Sequence, residues 1–212
     1  MTNEIGIFGT SGMAREASGI AFILGLDPIF IAKDETVLSE TTDLGHVILE
    51  KDLLRNAGLP CVIGIGDAGI RRSVAENYKN EVEFVNLIHP SATFGRGQRE
   101  LVENSEGVIV AAGARFTCNT VIGDHCIINQ NATIAHDCII GSFSHVGPGA
   151  NVSGNVSIGS QCWIGAGAVI NQGTPRQMMK IGDDTQIGSG SVVTKNCHKH
   201  SIYVGVPARK LR

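Results

Sequence analysis

At 212 residues and a formal net charge of -3, the chain can hold one or two domains with a real core, and it lacks the strongly basic balance of a nucleic-acid-binding protein. Its 27 glycines and only 5% aromatic residues suit a tightly cornered β body better than a helical bundle. No apolar run approaches a bilayer-spanning length and no charged leader opens the chain, so the expectation is a soluble, cytoplasmic protein without a membrane partner.

The first apolar run, 5–8, breaks at Gly9-Thr10-Ser11-Gly12, after which Met13, Ala17, Ile20, Ala21 and Leu24 keep helical spacing. Gly25 closes this helix, Pro28 forbids its continuation, and 29–31 reads as a second strand ending near Asp34 and Glu35. A short helix over 50–57, a third strand over 61–65 ending in Gly66-Asp67, a helix with Ile70, Val74 and Tyr78 on one face, and a fourth strand over 83–85 follow. Residues 1–87 thus read as a small Rossmann-like α/β domain with a parallel sheet and a ligand crevice at the carboxyl ends of its strands. The turn Gly9-x-x-Gly12-x-Ala14 departs from the full dinucleotide fingerprint and could be only a tight turn. A helix N-terminus beneath it still offers free N–H groups to a phosphate, and Asp34 lies at the spacing of an acid that meets a ribose hydroxyl.

At His89-Pro90 the pattern changes, and residues 88–212 read as a second domain. Ile88, Ala92 and Phe94 open a six-residue register that is interrupted over 96–107, which reads as a loop, and resumes at Val110 and Phe116. From 122 to 170 the register never misses: Ile122, Ile128, Ile134, Ile140, Val146, Val152, Ile158, Ile164 and Ile170. Four places after each comes a mostly small residue: Cys126, Ala132, Cys138, Ser144, Ala150, Val156, Cys162, Ala168 and Thr174. This is the hexapeptide signature of a parallel β-helix, in which residues eighteen apart stack at about 4.8 Å. An α-helix is excluded, because each of the glycines in this stretch would cost it close to ~1 kcal/mol. Residues 175–180 then break the count, and the five-residue excess must bulge from a corner, as the wall of a site or as a neutral insertion. The register returns at Ile181, Ile187 and Val193 before a polar turn at His198-Lys199-His200 and the tail 203–208.

The six cysteines contain no Cys-x-x-Cys pair, and Cys126, Cys138 and Cys162 occupy inward places as reduced apolar fillers. His136 and His145 fall off the inward register. Counting by eighteen stacks Ile127, His145 and Trp163 in one column and Cys118, His136 and Gly154 in another, where Gly154 leaves open space beside His136. Asp137 follows at once and could hold the ring as a carboxylate holds a catalytic imidazole. A zinc site would need three convergent ligands, whereas His125, His136 and His145 sit in different hexads, so no metal is expected. A non-catalytic nucleotide-binding scaffold is a further alternative.

Nearly the whole chain resembles the bacterial hexapeptide acyltransferases of nucleotide-linked amino sugars, of the bacillosamine and related 4-amino-sugar N-acetyltransferase type, grouped with the sialic-acid O-acetyltransferases. The likeness runs through Gly9-Thr10-Ser11-Gly12, Asn86-Leu87-Ile88-His89, Asn129, His136-Asp137, Phe143-Ser144-His145 and Tyr203-Val204-Gly205-Val206-Pro207-Ala208. It implies a left-handed parallel β-helix and a homotrimer with active sites at subunit interfaces. It also implies acetyl-CoA as co-substrate and a UDP-, dTDP- or GDP-linked 4-amino-4,6-dideoxy sugar as acceptor in bacterial polysaccharide biosynthesis, with sialic-acid O-acetylation as the alternative. His136 matches the general base, Asp137 its acidic partner, usually glutamate, and Asn129 a polar residue near the acceptor. His145, Gly154, Ala166 and Ser189 match positions along the acetyl-CoA groove, and Ser11, Gly12, Met13, Asp34 and Gly66 the nucleotide-sugar pocket. Lys33-Asp34 replaces the paired acids of the bacillosamine enzymes, and the 175–180 loop is longer than theirs, so base and sugar stay open.

Overall fold

The computed structural model describes residues 3–39, 45–56 and 58–211. Four parallel strands, β1 (Glu4–Phe8), β2 (Asp27–Ala32), β3 (Val47–Leu49) and β4 (Cys61–Ile63), form the first sheet in the order β3-β2-β1-β4. Helix α1 (Gly12–Ile23) buries Ala14, Ala17, Ile20 and Ala21, and Gly25, at φ 75°, ends it in the left-handed conformation that suits glycine. Gly64 lets α1 lie close to β4, since a Cβ there would come within 2.6 Å of the Ala14 Cα.

Several elements depart from the sequence reading. The 50–57 helix is a 3-10 turn, Glu50–Asn56, and Ala57 lies outside the described residues. The 83–85 segment contributes one parallel bridge, Phe84 to Cys61, while the fourth full strand is β3, too short to show a period. A one-turn helix, α2 (Glu35–Ser39), follows β2. In α3 (Ala68–Tyr78) the buried residues are Arg71 and Ala75, with Val74 and Tyr78 half-buried, whereas Ile70 is 55% exposed. The helix therefore turns a charged side chain inward where an apolar stripe is expected. The 96–107 stretch contains α4 (Gln98–Glu103), which sends Val102 into the β-helix core. Its Gln98 amide exchanges two hydrogen bonds with the Thr120 backbone, at 2.7 and 2.9 Å.

The rest is a left-handed parallel β-helix whose strands are mostly two residues long and fall on three faces. The eighteen-residue stacking is observed on each: Ile127 on His145 on Trp163, Thr133 on Asn151, and Ile139 on Ser157. All nine aliphatic register residues from Ile122 to Ile170 are no more than 2% exposed. The small places are equally buried except Thr174, where the chain has left the coil. Ile181 pairs with Ile158, so the five extra residues bulge outward as the count requires. The coils finish in an antiparallel pair, Ile202–Val204 with Arg209–Lys210, and the tail also bonds to Val192 through Gly205 and Ala208.

The two parts share one core. Leu87 already pairs with Ile109, across the expected 87/88 boundary, and Ile109, Ala111 and Ile127 pack against Ile5, Ile7, Phe30 and Val62. Near this joint His125 stacks on Phe143 with centroids 5.1 Å apart and meets the edge of Phe84 at 4.9 Å. No described helix is long and apolar enough to cross a membrane.

Because every inward side chain supports the coils above and below, Ile164→Ala is expected to destabilise the β-helix by about 2–5 kcal/mol. A chemical-denaturation series followed by circular dichroism measures this.

Candidate active site

From Phe116 to Ile164 the third residue after each inward register residue turns the corner in the left-handed conformation, among them Asn119, Asn131, Asp137 and Asn155 with φ of 57–58°. Asparagine and aspartate tolerate this region better than bulkier residues. The corner sets His136 at the apex, 58% exposed, with Asp137 behind it. Asp137 Oδ2 lies 2.8 Å from His136 Nδ1, and its Oδ1 accepts from Asn119 Nδ2 at 2.9 Å. The hydrogen bond with His136, then that from Asn119, holds the Asp137 carboxyl below the usual range. An ionised Asp137 can only accept, so the ring turns an Nδ1–H toward it and its Nε2 away from it.

The ring lies over Gly154, where a Cβ would come within 2.3 Å of Nε2. The space left by Gly154 is thus occupied by the imidazole itself, a tighter fit than the open space expected from sequence. Asn119 was not singled out in the sequence, although it stands one coil, eighteen residues, before Asp137. Around His136 opens a cleft of about 590 Å³ walled by Asn155, Gln172, Thr174 and Pro175. The bulge is pinned there, with Gly173 N donating to Gly154 O at 3.0 Å and Asn155 Nδ2 to Thr174 O at 2.5 Å. The start of the bulge, residues 173–175, is therefore a wall of the His136 cleft, and of the inserted residues only Pro175 lines it.

A second cleft, of about 530 Å³, lies between the 66–69 turn and the first face of the β-helix, with His145, Trp163, Asp184 and Gln186 on its far side. Ser11, Gly12 and Met13 follow β1, Asp34 follows β2 and Gly66 follows β4, so the parallel sheet brings all five to one carboxyl edge. Ser11 precedes α1 without a side-chain cap, and a Cβ on Gly12 or Gly66 would meet open space. Asp34 Oδ1 accepts from Val37 N at 3.0 Å and so caps α2, while Asp67 Oδ1 caps α3 by accepting from Ile70 N at 2.8 Å.

His145 is 5% exposed and tilts against Trp163, centroids 4.4 Å apart. Its Nε2 lies 3.3 Å from Asn129 Nδ2, and among the described residues its Nδ1 has no partner. Burial first, then the Arg71 charge, pushes its pKa down to about 4, with the Gly66 backbone partly opposing. Asn129 therefore belongs with His145 rather than with His136, because it lies on the first face and not at the His136 corner. Ala166 and Ser189 stack at the corner after that face, where Gly190 N donates to Ala166 O at 2.8 Å. The neighbouring Gly167 and Gly190 leave open space beside them. Cys138 is fully buried and burial raises its thiol pKa, which removes it as a nucleophile. Among the described residues of one chain, no group of three His, Cys, Asp or Glu side chains could hold a metal ion.

Residues 119–154, the span that carries His136, Asp137, His145 and Gly154, match the bacterial transferase hexapeptide (six repeats) family. The chain is an acyltransferase built on a hexapeptide-repeat β-helix. Nearly its whole length superposes on three solved structures. PerB from Caulobacter crescentus, solved in complex with CoA and GDP-perosamine, is 29% identical over 99% of this chain and 97% of its own, with a TM-score of 0.86. The acetyltransferase domain of PglB from Neisseria gonorrhoeae, in complex with acetyl coenzyme A, is 26% identical over 100% of both chains, with a TM-score of 0.84. WeeI from Acinetobacter baumannii is 29% identical over 98% of this chain and 100% of its own, with a TM-score of 0.86.

Two outcomes follow from this geometry. Gly154→Ala should push the imidazole off its seat, lengthen the bond to Asp137 and lower turnover by about tenfold or more while the coils stay folded; a crystal structure of the variant with its kcat checks this. His125 and His145 both sit near pKa 4 through burial, against about 6.5 in the unfolded chain. Between those values the unfolded chain binds protons that the folded chain refuses, so stability is full above about 6.5 and falls as the pH drops toward 4. Thermal midpoints across that window, with imidazole NMR titration, measure the effect.

Proposed function

We propose that the transferase moves the acetyl group of acetyl-CoA to the amino group of a nucleotide-linked 4-amino-4,6-dideoxy sugar, with His136 as general base. The observation that carries this is the chain Asn119 to Asp137 to His136, which fixes the tautomer and leaves Nε2 facing a cleft. The relative bound to CoA and GDP-perosamine supports the substrate class. The amine nitrogen attacks the thioester carbonyl carbon, its proton passes to Nε2, the C–S bond breaks and the thiol leaves with the proton. No covalent enzyme intermediate is needed. Proton removal in the transition state by a positioned imidazole is worth about 10² to 10⁴ in rate.

Ala166 and Ser189, with the bare corners at Gly167 and Gly190, provide one side of a shelf for the coenzyme's pantetheine arm, and Gly154, beneath His136 at another corner, meets it from a second copy. The crevice edge formed by Ser11, Gly12, Met13, Asp34 and Gly66 takes the nucleotide, with residues 1–87 as the nucleotide-sugar domain and 88–212 as the catalytic β-helix. His136 projects from a different corner of the coil from the Asn129 and His145 cluster, so a complete site needs a second copy. We assign a homotrimer with sites between subunits, its contact drawing on the third face, where Val121 is 52% and Ile139 45% exposed. Both co-substrates are water-soluble anions, and the reaction is placed in the cytoplasm, in the supply of sugars for bacterial polysaccharide.

His136→Ala is expected to lower turnover at least about a hundredfold with the trimer retained. Thiol release from acetyl-CoA with UDP-, dTDP- and GDP-linked 4-amino sugars, and with free sialic acid, tests acceptor and base together. Near wild-type transfer by the variant removes His136 from the mechanism, and release with sialic acid alone reassigns the enzyme to O-acetylation.

A further inference from the structure

Arg71 is a cation inside the protein. It is 1% exposed, and among the described residues it forms no salt bridge. Its guanidinium instead donates to four backbone carbonyls: Nη1 to Ile65 O at 2.6 Å and Gly66 O at 2.9 Å, Nε to His125 O at 2.8 Å, and Nη2 to Phe143 O. The first two carbonyls lie where β4 runs out into the 66–69 turn. The last two lie on left-handed corners stacked one coil apart in the β-helix, His125 at φ 54° and Phe143 at φ 63°. One planar fork thus joins three chain segments across the joint between the two parts.

A packed apolar side chain would secure a joint at less desolvation cost than a charge buried without a direct ion pair, Asp67 acting on it only through space. What the fork adds is angular definition, because its donors are fixed in one plane and several acceptors must meet them together. The acceptors it selects are those of the turn that walls the second cleft opposite His145 and Trp163. Arg71 belongs to α3 itself, so the same bonds fix the N-terminus of that helix, capped by Asp67, above the cleft.

We propose that Arg71 is a positioning residue: by clamping the Ile65 and Gly66 carbonyls to those of His125 and Phe143, it sets the nucleotide-sugar half of the site against the β-helix. It touches neither substrate nor reacting atoms. The inference rests on the reading that this crevice takes the nucleotide-linked acceptor. The fork, and not the charge alone, carries the role, so lysine does not replace it.

Arg71→Lys and Arg71→Met are expected to raise the KM for the nucleotide-linked acceptor by about tenfold or more, the equivalent of one charge-assisted hydrogen bond. In both, kcat and the KM for acetyl-CoA stay within about threefold of wild type, since His136 and the coenzyme shelf are untouched. Amide hydrogen exchange, measured without substrate, is expected to quicken at 65–70 and to remain unchanged at Ile134 and Ile140. Unchanged acceptor KM, recovery of wild-type behaviour by Arg71→Lys, a uniform fall in all kinetic parameters, or loss of the whole fold in both variants overturns the proposal. If the wild-type protein acetylates no nucleotide-linked amino sugar, the functional reading fails, and the exchange measurement alone still decides whether Arg71 clamps the turn.

Discussion

Two-residue strands cannot hold a sheet by their own hydrogen bonds, so the β-helix depends on the inward aliphatic at every sixth position resting on those one coil above and below. The Ile, Val, Cys and Ala residues of that interior are almost wholly excluded from water. Burial of this kind couples each coil chiefly to its neighbours, as in other solenoids. It also fixes what each remaining place can do. Of six residues, the inward aliphatic and the small one are committed to packing and one turns the corner in the left-handed conformation. Function is left with the outward strand position and the corner apex. His145 takes the first kind of place and His136 the second.

The two imidazoles thus receive opposite surroundings from one repeat. His136 is exposed, oriented by an ionised carboxylate that is itself held by Asn119 one coil earlier. His145 is covered by the first domain and by Trp163, and burial keeps it uncharged through the neutral range. An exposed, carboxylate-oriented ring and an uncharged buried one are chemically different groups. The difference arises from where the α/β domain sits, because its core covers the first face of the coil and leaves the His136 corner bare.

The β-helix was legible almost residue by residue, because its six-residue period is a direct image of its geometry. The return of the register at Ile181 after a five-residue bulge followed from counting, and its pairing with Ile158 bears this out. The geometry of the candidate site was legible where it shares that period: the Cys118, His136 and Gly154 column was in the numbers, as was Asn119 at the same offset from Asp137. Parts without a period were read less well. The strand Val47–Leu49 and the helix Gln98–Glu103 are too short to repeat. Ile70 misled because an apolar residue at helical spacing signals an inner face, whereas in α3 the inner face carries Arg71, whose reason for burial lies in carbonyls 54 and 72 residues away along the chain. The placement of Asn129 beside His145 likewise depends on which face of the coil is covered, and a local pattern does not encode that.

The antiparallel turn at the end of the coils bears on the protein as a particle. A stack of parallel coils exposes unpaired N–H and C=O groups at its last rung, a template on which another chain could continue the stack. Here the tail folds back, setting Arg209–Lys210 against Ile202–Val204 and bonding to both sides of Val192. Its outermost strand runs the wrong way to extend the solenoid and presents two exposed basic side chains. The repeat is thereby closed at a set length, and a surface suited to fibre growth becomes the blunt end of a discrete enzyme.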